Sequence, residues 1–382
     1  MKRRYAFLVL AVATGFRAAD SCYAQVVTGG LSWLKRHQEK EGNWSFKTYT
    51  KLCKDDTCTG PGRQESLSAA TALALLPMLG AGQTHLRDGE DKTTVGRGID
   101  WLVAHQMPDG DLSAGAEQQM YSHAFAALAV CEDYGMTKDA ALAVPAQRAI
   151  DFIQDAQNER TGGWRYHPGQ EGDTSVFGWQ VTALKSAQLA GLQVKVKTFD
   201  GAKKWLASVS KAGDDGKPNG QFAYFPNSDS TPTMSAVGIN CSRHLGVGKS
   251  DPLIAAGVKY LAANPPEKDA RNVYYWFYGT QIMENADDHD RIPWMNKIRK
   301  YLEESQAREG CAAGSWSPDK PTRDAWGPNG GRLMTTSFSC LTLEVYYRYL
   351  SVFKDSAAKS DVDEKNKNSV ERGGSDPAQP KK

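Results

Sequence analysis

The stretch GLSWLKRHQEKEGNW, residues 30–44, opens as an amphipathic helix and ends in a turn marked by Gln38, Gly42 and Trp44. Its aromatic–aliphatic pair, Trp33-Leu34, has five counterparts: Trp101-Leu102, Phe152-Ile153, Trp205-Leu206, Tyr260-Leu261 and Tyr301-Leu302. The intervals between pairs are 68, 51, 53, 55 and 41 residues. Self-similarity at a period of roughly fifty residues marks a repeat architecture, because a unit that small cannot bury its apolar face alone.

Each unit continues in the same way. A turn rich in Gly, Pro and Asp follows the first helix, and a second, more apolar helix comes after it, over 67–78, 121–134, 176–190, 233–245, 273–283 and 333–349. The first helices alternate apolar and charged residues at helical period, which predicts one face in water. The second helices carry few charges and many Ala, Ser, Thr and Gly, which predicts packing on several sides. Six such hairpins close into a double ring, so the expected fold is all-α, an (α/α)6 toroid whose inner helices line a central space. No run of alternating β-branched residues predicts a sheet.

The turns have their own logic. In QEKEGNW, Gln38 ends an outer helix, where its amide can reach orphan backbone groups. Gly42 permits a positive φ, and Trp44 covers the glutamine and pins the loop to its neighbour. The arrangement recurs as Gln157, Gly163, Trp164 and as Gln306, Gly314, Trp316, while QMPDGDL (Gln106, Gly110, Leu112) lacks the Trp. These are structural staples between repeats.

The two ends read differently. Residues 1–24 have the pattern of a secretory signal: Lys2, Arg3 and Arg4, then an apolar run too short to span a bilayer, then small residues before Gln25. The remaining chain is expected to be exported, periplasmic or secreted, without a transmembrane segment, and the domain is placed at 25–354. Residues 355–382 carry six positive and six negative side chains and no aromatic, so a disordered charged tail is expected. Without the leader, 42 basic side chains face 43 acidic ones. That balance offers no basic face for phosphate contacts and argues against nucleic-acid binding. Cys53 and Cys58 bracket a polar loop and are the candidate disulfide in an oxidising compartment. Cys131, Cys241 and Cys340 lie in apolar helical runs, and Cys311 in a glycine-rich loop has no nameable partner.

The Gln–Gly–Trp turns resemble the QW motifs of squalene-hopene cyclases and related terpene cyclases, and the αα repeats resemble protein prenyltransferase β-subunits. The chain looks like a member of the prenyltransferase and squalene oxidase repeat family, similar to a squalene cyclase C-terminal domain. The stretches carrying the resemblance occupy 162–187, 233–246, 273–283 and 325–350. The resemblance implies a toroid with an isoprenoid or other apolar ligand in its central cavity, and as enzyme a terpene cyclase (an isomerase) or a prenyltransferase-like transferase.

The chemistry needs separate proof, since one scaffold serves many functions. A class II terpene cyclase protonates an alkene with the central Asp of a DxDDTA motif. The counterpart here is QEGDTS, in which Gly172 stands where that acid belongs and Asp173 matches the last Asp. Asp173 can instead cap the following helix. It and Glu284 are the catalytic candidates the sequence offers, with no role assigned to either. The prenyltransferase zinc pattern is Asp-x-Cys with a distant His; Cys241 and His244 make two ligands, not a site. The segment ENADDHD (284–290) lacks the spacing of a diphosphate-binding motif. No cofactor and no metal are therefore expected. Thr174, Trp179, Tyr274, Tyr275, Trp276, Tyr278 and Trp326 are the candidates to line the cavity, where aromatics could shield a cation or cradle an apolar molecule. A non-catalytic binding or scaffold role is the alternative, and a glycan-active α/α-barrel enzyme, with carboxylates such as Asp173, Glu284 or Asp324, is the third.

Overall fold

The computed structural model of the protein describes residues 18–348. The charged tail lies wholly outside that range, and the expected leader mostly so. Among the described residues, twelve α-helices make six hairpins. The first members are α1 (Ala18–Arg36), α3 (Lys92–Ala104), α5 (Ala140–Asp155), α7 (Val196–Val209), α9 (Pro252–Ala262) and α11 (Asp288–Ser305). The second members are α2 (Leu67–Gly80), α4 (Gln119–Thr137), α6 (Thr174–Leu189), α8 (Pro232–His244), α10 (Val273–Met283) and α12 (Gly327–Arg348). Each second helix packs on the next, from α2 through α12, and α12 packs back on α2, which closes the inner ring. The first helices form the outer ring, and α1 touches both α11 and α12 across the seam. The (α/α)6 double ring is the observed fold.

Local chemistry sets the inner helix starts. Ser66, Asp173, Thr231 and Asn272 accept backbone N–H bonds from Ala69, Ser175 and Val176, Met234, and Tyr275. Each satisfies a donor that an α-helix leaves unpaired. Inner helices are buried nearly all round: every residue of α2 from Ser68 to Leu79 is buried. Outer helices bury one stripe only, as the amphipathic pattern requires.

The expected staples are hydrogen-bonded joints between neighbouring units. Gln38 Nε2 donates to Gly42 O (2.7 Å) in its own turn and to Thr94 O (2.9 Å) on the next outer helix. Gln106 does the same to Gly110 O and Pro145 O, Gln157 to Gly162 O and Thr198 O, and Gln306 to Gly314 O and Val26 O. The last of these joins the sixth unit to the first. Trp44, Trp164 and Trp316 each donate their indole N–H, at 2.8 Å, to the carbonyl of Leu34, Ile153 or Leu302, the aliphatic half of a repeated pair. In the third turn the glycine that takes the left-handed φ (+78°) and accepts the Gln157 bond is Gly162, one before the expected Gly163, which packs on Trp205 instead.

One element was not expected from the sequence. Ser210–Ala212 and Pro218–Phe222 form an antiparallel two-stranded hairpin, β1 and β2, between α7 and α8. It replaces the Gln–Gly–Trp turn of the fourth unit. Gly220, at φ +74°, abuts the backbone of Gly257 on α9, and Phe222 is buried beneath Gly238 of α8. Three- and five-residue strands are too short to show an alternating pattern.

Candidate binding cavity

Every inner helix points its N-terminal end toward the same side of the ring, and there the ring opens into a cup of about 1210 Å³. Leu73 of α2, Phe125 of α4, Met234 of α8 and Phe338 of α12 line its apolar depth. Arg63, Gln64, Glu65, Glu117, Gln118 and Asn329 give it a polar mouth. Trp326 stands at that mouth, 46% exposed.

The other half of the ring is filled. Trp179 stacks on Phe277 (5.8 Å between centroids, planes 4° apart) and meets Phe125 at 4.5 Å and Tyr278 at 5.4 Å. Phe338 joins Phe277 at 5.5 Å and Tyr274 at 5.8 Å. Residues of α4, α6, α10 and α12 thus meet in a plug that forms the cup's floor. Ring centroids at these separations add packing energy beyond the buried area.

Of the seven expected cavity residues, Tyr274 and Trp326 line the cup. Trp179 and Tyr278 are buried in the plug instead. Tyr275 and Trp276 turn outward: Tyr275 meets Trp294 at 5.9 Å and donates to Asn264 O, while Trp276 meets Tyr301. Thr174 faces the hairpin loop, donating to Ala223 O at 2.6 Å. The sequence reading missed Tyr121, Tyr166 and Tyr224, which also line the cup. Their signal was weak because they sit at or before helix starts, where periodicity gives no face.

Neither catalytic candidate reaches the cup surface. Asp173 is fully buried behind Ser175. Its Oδ1 accepts from Ser175 N, Ser175 Oγ and Val176 N, and Arg165 Nε lies 3.8 Å from Oδ2. Tyr121, in the cup wall, donates to Ser175 Oγ at 2.6 Å, and Ser175 passes the bond to Asp173. Burial pushes the Asp173 carboxyl above its ordinary range, yet donation runs inward from the cup, so Asp173 receives hydrogen bonds rather than offering a proton. Gly172 has φ +120°, and a Cβ there would lie 3.0 Å from Gly163 Cα and from Trp205. A side chain at the position that carries the protonating acid in the cyclase motif would be crowded and would strain the backbone here.

Glu284 follows the C-terminal end of α10, the end away from the cup, and burial raises its carboxyl too. Asp324 is buried and accepts from Val273 N (2.8 Å) and Trp326 N (2.9 Å), which anchors the start of α10. The acidic residues that do line the cup are Glu65, which pairs with Lys47, and Glu117, both exposed.

The cysteines depart from expectation. Cys53 and Cys58 are free thiols, and Cys311 is drawn beside them together with His37. Cys241 and His244 belong to no such group among the described residues.

Comparison with known proteins agrees with this ring. The family described as Squalene-hopene cyclase C-terminal domain matches residues 4–127, or 124 of 382 positions. The match falls on the first two units, ahead of the stretches that carry the resemblance in the sequence. No curated protein matches the chain. Among solved structures, an inactive variant of the α-1,6-mannanase GH76A of Salegentibacter sp. HEL1_6 aligns with TM-score 0.57 at 12% identity, covering 85% of this chain and 98% of its own. The type II terpene cyclase MstE from Scytonema, in complex with geranylgeranyl dihydroxybenzoate, aligns with TM-score 0.54 at 10% identity, covering 86% and 97%. An α-amylase from Clostridium perfringens aligns at 0.57 and 10%, covering 84% and 97%. At such identities the likeness is one of fold. The chain has the α/α toroid fold, and its first two units are similar to the Squalene-hopene cyclase C-terminal domain.

Proposed function

We propose that this protein binds a large amphipathic molecule of the isoprenoid class in its cup, apolar chain inward and polar end at the mouth, without cyclising it. The observation that carries the proposal is the cup's division into an apolar depth and a polar mouth, with no acid on the apolar surface. At about 1210 Å³ the cup exceeds the usual range of roughly 300–1,000 Å³ for small-molecule sites, which favours a long ligand. Alkene protonation needs a strong acid in contact with the substrate, and Gly172 cannot supply one. Organic extraction of protein purified from its native host, followed by mass spectrometry, should recover one isoprenoid-class species in near-stoichiometric amount. Recovery of no lipid, or conversion of added squalene to a cyclic product, would refute the proposal.

A glycan is the second reading, favoured by the exposed Trp326 and the exposed Glu117, both of which line the cup, since indole faces stack on sugars. It requires release of reducing ends from a polysaccharide panel and loss of that activity in Glu117→Gln. We further propose that residues 1–24 direct export. Intact-mass measurement of the secreted or periplasmic protein should find Gln25 at its N-terminus.

A further inference from the structure

The structure assigns a structural zinc site of three cysteines and one histidine, Cys53, Cys58, Cys311 and His37, at the seam where the ring closes. His37 Nε2 lies 3.3 Å from Cys58 Sγ and 3.7 Å from Cys311 Sγ. The ligand atoms of His37, Cys58 and Cys311 all fall within 4.8 Å of one another, and those of Cys53 and Cys311 do so as well. Zn–S bonds of about 2.3 Å and Zn–N bonds of about 2.0 Å at tetrahedral angles place sulfur and nitrogen roughly 3.5 Å apart. The His37 distances bracket that value.

The surroundings are those of a built ligand set. His37 Nδ1 is 2.8 Å from the Trp33 carbonyl, and the ring stacks on the Trp33 indole at 4.2 Å. A histidine held to a carbonyl through one nitrogen presents the other, unprotonated, to a metal. Trp33 Nε1 donates to Cys58 Sγ at 3.4 Å, and the Cys58 backbone N–H donates to Cys53 Sγ at 3.3 Å. Asp55 lies within the same 4.8 Å of Cys53 and Cys311, and its oxygens accept from Thr57 N, Thr57 Oγ1, Cys311 N and, at 3.5 Å, the Cys53 thiol. It shapes the loops and leaves the fourth position to Cys53. Three thiolates and one divalent ion leave a single negative charge, and the Arg36 guanidinium sits close by on the carbonyls of Cys311 and Ala313.

Zinc here would tie α1 and the 53–58 loop to the loop after α11, across 274 residues of sequence. None of the four ligands lines the cup, so the role is to clamp the ring. Metal that binds only the folded chain adds its binding free energy to folding.

The test uses the full chain, purified under reducing conditions without chelator. Elemental analysis should find about one zinc per chain, falling below about a tenth in Cys58→Ser and Cys311→Ser. Cys241→Ala, outside the cluster, should keep its zinc. Replacement by cobalt should give the intense thiolate-to-metal absorption of a tetrahedral site. Chelator should lower the melting temperature of the wild type and leave Cys311→Ser unmoved. A fully reduced, folded wild type that takes up no zinc or cobalt would overturn the assignment. So would a chain whose intact mass and thiol count show a Cys53–Cys58 disulfide that persists when zinc is supplied.

Discussion

Gly172 and Asp173 are adjacent, and they set what the cup can do. An aspartate at 172 would need a left-handed backbone and would press on Trp205 and Gly163. We expect Gly172→Asp to cost about 1–3 kcal/mol in chemical denaturation, and to give no cyclic product from squalene. Unchanged stability would mean the wall can yield. Asp173→Ala removes the cap of α6 and should cost about 1–2 kcal/mol, whereas Asp173→Asn, which keeps an accepting oxygen, should lose less than half of that. An equal loss in both would show that the charge matters more than the cap. The turn residues were legible in the sequence because their chemistry is local: a Gln, a Gly and a Trp within seven to eleven residues carry their own joint. The cup residues were not. In VYYWFYGTQIM nearly every position is apolar, so hydrophobic period cannot say which face meets the axis. Only packing against α11 turns Tyr275 and Trp276 away and leaves Tyr274 to the cup.

Among the elements, the second turn is the one whose strength depends on pH. It lacks the Trp, and Asp111 holds it instead, accepting from Ser113 N, Ser113 Oγ and Gln119 Nε2, with His123 Nδ1 at 3.2 Å. Burial alone would raise the Asp111 carboxyl, but bonds from His123 and Ser113 outweigh it and bring it to about 2. A carboxyl lowered on folding stabilises the native state above its unfolded value near 4, and that stability fades as pH falls toward 2. The amount is roughly 2 kcal/mol. Stability of the wild type should drop between pH 4 and 2, and Asp111→Asn should flatten that limb while lowering the plateau at pH 7. Parallel curves would clear Asp111 of the effect. The glutamine joints offer a comparison free of charge: Gln306→Ala removes the amide donor that bridges the Val26 and Gly314 carbonyls at the seam and should cost about 1–3 kcal/mol. Six hairpins could be read from the repeat, but the β1–β2 hairpin could not. Its sequence, KAGDDGKPNGQF, looks like a loop, and what makes it a strand pair is the burial of Phe222 against α8.

At the scale of the whole ring, closure and cavity are separable, and that separation can be measured. The seam is closed by Gln306, by α12 on α2 and by the His37–Cys311 cluster, and neither Gln306 nor the cluster residues line the cup. A ligand that enters the cup should therefore stabilise the fold without altering the seam. At a free concentration one hundred times its dissociation constant it should add about 2.7 kcal/mol. Trp326→Ala lies at an exposed mouth and should weaken binding about tenfold or more, with little change in the stability of the free protein. Phe338→Ala removes a ring from the plug and should cost about 3–5 kcal/mol in the free protein as well. Thermal shift with and without an isoprenoid lipid, run on both variants, distinguishes the two effects. If Trp326→Ala left the ligand shift intact while Phe338→Ala abolished it only by unfolding the chain, the lipid would be binding outside the cup. The polar mouth would then have to be explained by a different ligand.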